Sequence, residues 1–283
     1  MASSSGGEGM KTAKTPTILF VTAGLGGKSF EDAADRLVAQ ASTFEFFTEL
    51  HAIKEEEIFQ ICPRILNWFE NSELQQVKGF GWYTWKATIA YKAIVEKRWG
   101  EFDLVMYLDA GCEMFKSKQS KKRLQGYIHS AMNDGHTLFA IPTPERHFTK
   151  RDLFEYFSEI SPEDESPQFQ SGSWILKTNS NEEFARRWEE LSAVGVFMTD
   201  ESPSQMGESP DFKIHRYDQS IFSLLAKSFG YKANSDVPPG SATSFRAKVR
   251  GFFYPFWWAR NRTGETIIPS LMFKLGKATE KPY

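Results

Sequence analysis

LVMYLDAG, residues 104–111, is the stretch on which the fold turns. Five apolar residues follow one another with no polar alternation. A strand with one wet face would alternate, so this run predicts a strand covered on both faces, as in a parallel sheet between helix layers. The run stops at Asp109, then Ala110 and Gly111. An acidic residue at the carboxyl end of a buried strand stands where open α/β sheets bind ligands. Upstream, TILFV (17–21) is a second such run. It leads through Thr22 and Ala23 into a glycine-rich turn and an amphipathic helix near 29–41. Downstream, a helix over 119–133 and the strand TLFAIP (137–142) complete a βαβ unit. Further segments read as a strand within 44–53 (a helix fits it as well), short helices at 54–60 and 63–72, and a helix over 84–98. Beyond them come a helix near 150–158, a loop over 161–168 and a strand at 173–178. Helices at 181–191 and 218–230 flank a low-complexity loop at 199–211. The fold class is therefore α/β, a mixed and mostly parallel sheet flanked by helices.

The 283 residues suit one large α/β domain or two small ones. The polar stretch 1–15 reads as a disordered leader, 16–240 as the domain, and 241–283 as a basic, aromatic tail. That tail holds eight basic residues against two acidic ones. Such a mixture can form an acceptor-binding or membrane-surface patch, a peripheral membrane contact; packing across the domain is the simpler reading. Overall, 34 basic residues face 36 acidic ones, so no global field argues for nucleic acid. Two isolated cysteines exclude a disulfide framework. With no apolar leader and no stretch near the roughly 20 residues needed to cross a bilayer, the expectation is a cytoplasmic protein. Asn261-Arg262-Thr263 matches a glycosylation sequon by chance.

The turn GLGGKS (24–29) raises the question of a P-loop, and with it an NTPase or kinase. A Walker A loop needs glycine five residues before Gly27, and that position is Thr22. The aromatic clusters at 82–85 and 252–258 raise another alternative, a non-catalytic carbohydrate-binding module, because ring faces stack on sugars. Lys86 falls in the first turn of its helix, where a cation opposes the helix dipole unless an anion sits there. Asp109 is placed for an oxygen-loving cation, Mn²⁺ or Mg²⁺, bridging to a diphosphate. His215, Arg216, Asp218 and Gln219 crowd acid, base and hydrogen-bonding groups into one helix start, although Asp218 is also a natural N-cap.

Taken in order, GFGWYTWKA (79–87), LVMYLDAG, ERHFTKRDLF (145–154), QFQSGSWILKTNSNEEFARRW (168–188) and HRYDQSIFSLL (215–225) resemble the motif series of GT-A-type glycosyltransferases. The likeness is to glycan-building enzymes of bacteria and large algal viruses and covers about residues 16–231. It implies a GT-A-like, Rossmann-like sheet and transfer of a sugar from a nucleotide-diphosphate donor, UDP-linked, to a glycan hydroxyl, with a divalent metal. Carried over by position, Thr22, Ala23 and Gly24 contact the nucleotide, and Lys86 faces the phosphates. Asp109, with Ala110 and Gly111, holds the metal and donor, while Ser171 and Gly172 line the sugar pocket. Arg216, Asp218 and Gln219 complete the donor and catalytic face. For an inverting reaction Asp218 deprotonates the acceptor, with Glu145 in reserve. Ala87, Phe148 and Ser171 depart from the motifs, and the D-x-D element keeps only its first Asp.

Overall fold

A computed structural model describes residues 15–65, 78–163, 165–194, 204, 207–240 and 250–266. The leader, most of the helix expected at 63–72, most of the 199–211 loop and the rest of the tail lie outside the described residues.

The central sheet has five strands: β1 (Ile18–Ala23), β2 (Glu49–Ile53), β3 (Leu104–Leu108), β5 (His136–Pro144) and β6 (Pro167–Lys177). Their order is β2-β1-β3-β6-β5. β1 pairs in parallel with both β2 and β3, while β6 runs antiparallel to β3 and to β5. Four strands thus share one direction. β3 and β5 are the strands of the expected βαβ unit, but they are not neighbours, because β6 lies between them. The described helices are α1 (Lys28–Ser42), α2 (Glu55–Ile61), α3 (Trp85–Ile94), α4 (Lys118–Asp134), α5 (Arg151–Tyr156), α6 (Glu182–Ser192) and α7 (Asp218–Ser228). Two-residue strands β4 (Glu113–Met114) and β7 (Phe256–Trp257) form a separate antiparallel ribbon.

The unbroken apolar runs now have their reason. Leu19, Val21, Val105, Tyr107, Trp174 and Leu176 face a core made with α3, α6 and α7. Their neighbours Ile18, Phe20, Leu104, Met106, Leu108 and Ile175 face the opposite core, made with α1, α4 and Phe256. Both faces of β1 and β3 are covered, so the runs 18–21 and 104–108 are apolar, and Thr22 is the one polar residue buried within these two strands. Trp174 is fully buried between Tyr107, stacked at 5.3 Å, and Trp188 at 6.1 Å. Truncating such a ring to alanine costs about 3–5 kcal/mol. α4 is bounded by local signals: Ser117 and Ser120 form a reciprocal capping box, and Gly135 ends it in the left-handed region. The described part of the tail packs inward, burying Phe252, Tyr254, Phe256 and Trp257 while Phe253 stays exposed.

Candidate active site

β1 and β3 end at the same edge of the sheet, and antiparallel β6 brings its early residues there. The amide of Asp109 donates to the carbonyl of Gly172 at 2.9 Å. A Cβ at position 172 would stand 2.3 Å from Asp109 Oδ2, so any larger residue there would displace the Asp109 carboxylate. The Asp109 carboxylate therefore lies flat against Gly172. Its Oδ1 accepts from the Tyr107 hydroxyl at 2.8 Å and meets Lys86 Nζ at 3.0 Å; Oδ2 lies 3.2 Å from the same Nζ.

Lys86 arrives through an unusual turn. Gly79, Phe80, Gly81, Trp82 and Tyr83 all have positive φ, a short left-handed stretch ahead of α3. For Phe80, Trp82 and Tyr83 this costs roughly 1–2 kcal/mol each. The strain is held by packing: Trp85 Nε1 donates to the Gly79 carbonyl at 3.2 Å. The turn drives the Lys86 side chain into the protein, 5% exposed, with its ammonium 5.0 Å from the Tyr83 ring centre. The anion expected at this helix start is therefore the protein's own. Lys86 lies between Asp109 and Asp218, with Asp218 Oδ2 at 3.5 Å, and not on the open surface.

Asp218 is the first residue of α7 and not its cap. The preceding Tyr217 takes the cap position with φ 47° and no side-chain cap bond. Freed from capping, the Asp218 carboxylate turns inward, where Ser171 Oγ donates to Oδ2 at 2.6 Å. Ser171 and Lys86 both approach Oδ2, which leaves Oδ1 to accept a proton. Burial pushes the Asp218 carboxyl up to about 6; Lys86 and Ser171 pull it down, and Asp109 adds to the rise. Burial opposes the charge on Lys86, yet Asp109 and then Asp218 hold its pKa well above the ordinary lysine value. One ammonium serves two carboxylates and sits nearer Asp109, so Asp218 is the under-compensated partner.

The remaining candidates separate. Arg216 lies at this edge, its backbone N–H on the Phe148 carbonyl and its guanidinium 3.4 Å from the centre of the Phe148 ring. Gln219 donates to Gln168 Oε1 at 2.6 Å. Thr22, Ala23 and Gly24 are buried; the Thr22 hydroxyl has no partner among the described residues, and Gly24 is packed under the start of α1. The carbonyl of Ala110 accepts from Arg36, and that of Gly111 from the amide of Asn261. Gly111 thus admits the 260–261 backbone, 3.4 Å from where its Cβ would be. Glu145, the reserve base of the sequence reading, lies away from this cluster. It is fully buried, with Oε1 taken by Thr149 and Gln168 and Oε2 by Ser223 and Lys227, so it is committed to the interior. The glycine turn is not an ATP cradle either. The amides of Gly26 and Gly27 both donate to Glu55 Oε1 at 2.8 Å, and Lys28 is exposed and paired with Asp32.

Several contributors were missed from sequence. Tyr107 reads as one more apolar position of β3, yet its hydroxyl reaches Asp109. Arg36 is a buried fork that donates to the carbonyls of Ala110 and Cys112 and to those of Asn261 and Thr263. An arginine on the apolar stripe of α1 was the available signal for it. Asn261, the sequon residue, is buried and donates to Glu113 Oε1 and the Glu265 carbonyl.

The implied divalent cation was tested against this donor set. Asp109 is the one carboxylate here that reaches the surface, with its side chain 42% exposed. Tyr107 and Lys86 already occupy its oxygens, and an ammonium lies about as close as a metal's neighbouring ligand would. Among the described residues no three His, Cys, Asp or Glu side chains converge. Mg²⁺ is usually held by one or two carboxylates together with waters and ligand phosphates, and the one exposed carboxylate here is already bonded to Tyr107 and to the Lys86 ammonium, so these residues by themselves do not fit a resident divalent cation.

No protein-family model matches this chain, and no curated protein matches it. Among solved structures it is similar to mouse xyloside xylosyltransferase 1 in its apo form, at 10% identity and TM-score 0.43, over 86% of this chain and 98% of that one. It is also similar to a glycosyltransferase involved in glycosylation of the major capsid of PBCV-1, at 9% identity and TM-score 0.46, over 86% and 92%. A third is core-mannan synthase A from Aspergillus fumigatus in an Mn/GDP form, at 8% identity and TM-score 0.30, over 77% and 71%. No helix of the described residues is long and apolar enough to cross a membrane.

Proposed function

We propose that this chain is a glycosyltransferase that moves a sugar from a nucleotide-diphosphate donor, UDP-linked, to a glycan hydroxyl. One observation carries the reading: a buried carboxylate, Asp218, raised to about 6 and bonded to Ser171, shares a buried ammonium with Asp109 at the carboxyl edge of the sheet. A base at work near neutral pH needs a pKa near that range, and burial provides it here. In the transfer, the bond from the sugar's anomeric carbon to the diphosphate oxygen breaks and its electron pair leaves with the diphosphate. The acceptor oxygen bonds to that carbon, and its proton passes to Asp218. Asp109 and Ser171 act through position, the first by holding Lys86 and the second by orienting the Asp218 carboxylate.

The test is nucleotide release from a panel of UDP-, GDP- and dTDP-sugars, with and without small glycan acceptors, on the native chain and Asp218→Asn. Acceptor-stimulated release from one donor, lost in the variant, is the expected result. Glycan binding with no donor turnover would replace this reading with a carbohydrate-binding module.

A further inference from the structure

We propose that the donor's diphosphate is gripped without a divalent cation, by Arg216 and Arg260, two guanidiniums that the fold brings to the edge where Asp109 ends β3. This rests on the nucleotide-sugar reading above and identifies how that site holds its ligand.

Arg216 stands two residues before Asp218. Its backbone is tied to Phe148, and its guanidinium lies over the Phe148 ring, which fixes the plane of its donors. Arg260 comes from the tail, 44 residues further on, and the structure anchors it on both sides. On one side Trp258 Nε1 donates to Ser173 Oγ at 3.0 Å. On the other, the Asn261 amide donates to the Gly111 carbonyl at 2.9 Å and its side chain to Glu113. The buried Arg36 fork clamps Asn261 and Thr263 to the 110–112 turn. Arg260 itself is exposed and held at φ 56°, a left-handed conformation that costs an arginine roughly 1 kcal/mol. So much anchoring around one exposed, strained residue holds its backbone against Gly111, with Arg260 Cα 3.4 Å from where a Gly111 Cβ would be.

The charges make the same case. Among the described residues no carboxylate lies within 4 Å of either guanidinium in an ion pair. Burial, and then the charge of Arg260, lower the pKa of Arg216, while the charge of Glu145 raises it. Two guanidiniums with no ion-paired acid suit a ligand with two negative charges, which a diphosphate diester has. A metal would normally supply that charge. Here Lys86 fills the space between the two acids, and the arginines supply the outward charge.

The experiment is calorimetric binding of UDP, GDP and dTDP, and of the parent nucleosides, to the full chain in EDTA and in Mn²⁺. It is run on the native protein, Arg260→Gly, Arg260→Lys and Arg216→Gln, with thermal melts alongside. Arg260→Gly removes the charge and relieves the left-handed strain, so it keeps the fold. Expected is nucleoside diphosphate binding in EDTA within about twofold of that in Mn²⁺. Arg260→Gly and Arg216→Gln should each weaken it roughly tenfold or more, with partial rescue by lysine and nucleoside binding unchanged. Binding that appears only with Mn²⁺, or an Arg260→Gly protein that binds like the native one, overturns the inference and leaves the glycosyltransferase reading standing. Absence of nucleoside diphosphate binding under both conditions overturns both.

Discussion

Helix α7 touches two buried carboxylates, and they live in different worlds. Near its middle and end, Ser223 and Lys227 bond Glu145, which also accepts from Thr149 and Gln168. At its start, Asp218 accepts from Ser171 and shares Lys86 with Asp109. Glu145 has four donors, one of them the Lys227 ammonium. Asp218 has part of one cation and one hydroxyl. Burial alone therefore does not mark a reactive group; incomplete compensation does. A buried carboxylate left short of partners can take and return a proton near neutral pH.

The sharpest break of this contrast is Asp218→Asn. If Asp218 accepts the acceptor's proton, transfer falls by roughly 10²–10⁴, the range for losing a general base. The fold should survive, because the change removes a buried charge that is short of partners. Nucleotide-release kinetics and a melting curve on one preparation read both effects. Transfer at the native rate would move the base elsewhere.

Glu145→Gln should do the reverse. It leaves the Lys227 ammonium, 10% exposed, without its anion. Removing one partner of a buried pair costs about 3–5 kcal/mol, so urea unfolding should show a loss of that order. Transfer per folded molecule should stay within a few-fold of native. A large kinetic loss with stability intact would instead put Glu145 in the chemistry.

The same contrast marks what the sequence disclosed. β1 and β3 were legible because covering both faces of a strand forces an unbroken apolar run. β6 was read as a loop followed by a shorter strand at 173–178, because its first half carries Gln168, Ser171 and Gly172. Those polar residues are buried, but their partners Glu145, Asp109 and Asp218 come from distant segments that no local pattern reveals. The insertion of β6 between β3 and β5 was hidden for the same reason. At the site, Lys86, Asp109, Ser171 and Asp218 each stood out from their motifs. That they meet around one ammonium did not, and Lys86 was expected to face a ligand phosphate. Tyr107 and Arg260 left no trace, one looking like core and the other like tail.

A third prediction follows from the raised Asp218 carboxyl. Below about pH 6 Asp218 is protonated, so if it is the base kcat/KM should fall toward tenfold per pH unit. The stability effect has the opposite sign. The group's pKa is about 6 in the folded chain against 3.8 for an ordinary aspartate in the unfolded chain. Between these limits the folded state binds more protons than the unfolded one. Stability from this group is therefore complete below 3.8 and is lost as pH rises through 6, on the order of 2–3 kcal/mol in total. Urea midpoints across that window should decline with pH in the native chain, and Asp218→Asn should lack that component.

The smallest expected effect tests whether the two carboxylates are independent. Gln219 adjoins Asp218 and donates to Gln168, whose own amide donates to Glu145. Two hydrogen bonds thus run from Asp218's chain neighbour to Glu145. Gln219→Leu cuts the amide pair, which should cost about 1 kcal/mol of stability. If Asp218 is set by Lys86, Asp109 and Ser171 alone, the acid limb of the pH–rate profile will stay within a few tenths of a unit in this variant. A shift approaching one unit would mean that the Glu145 network reaches into the site and helps set the base. Measuring the profile in Gln219→Leu and in Glu145→Gln separates the two cases. Independent regions leave both limbs in place, whereas a transmitting network moves both in the same direction.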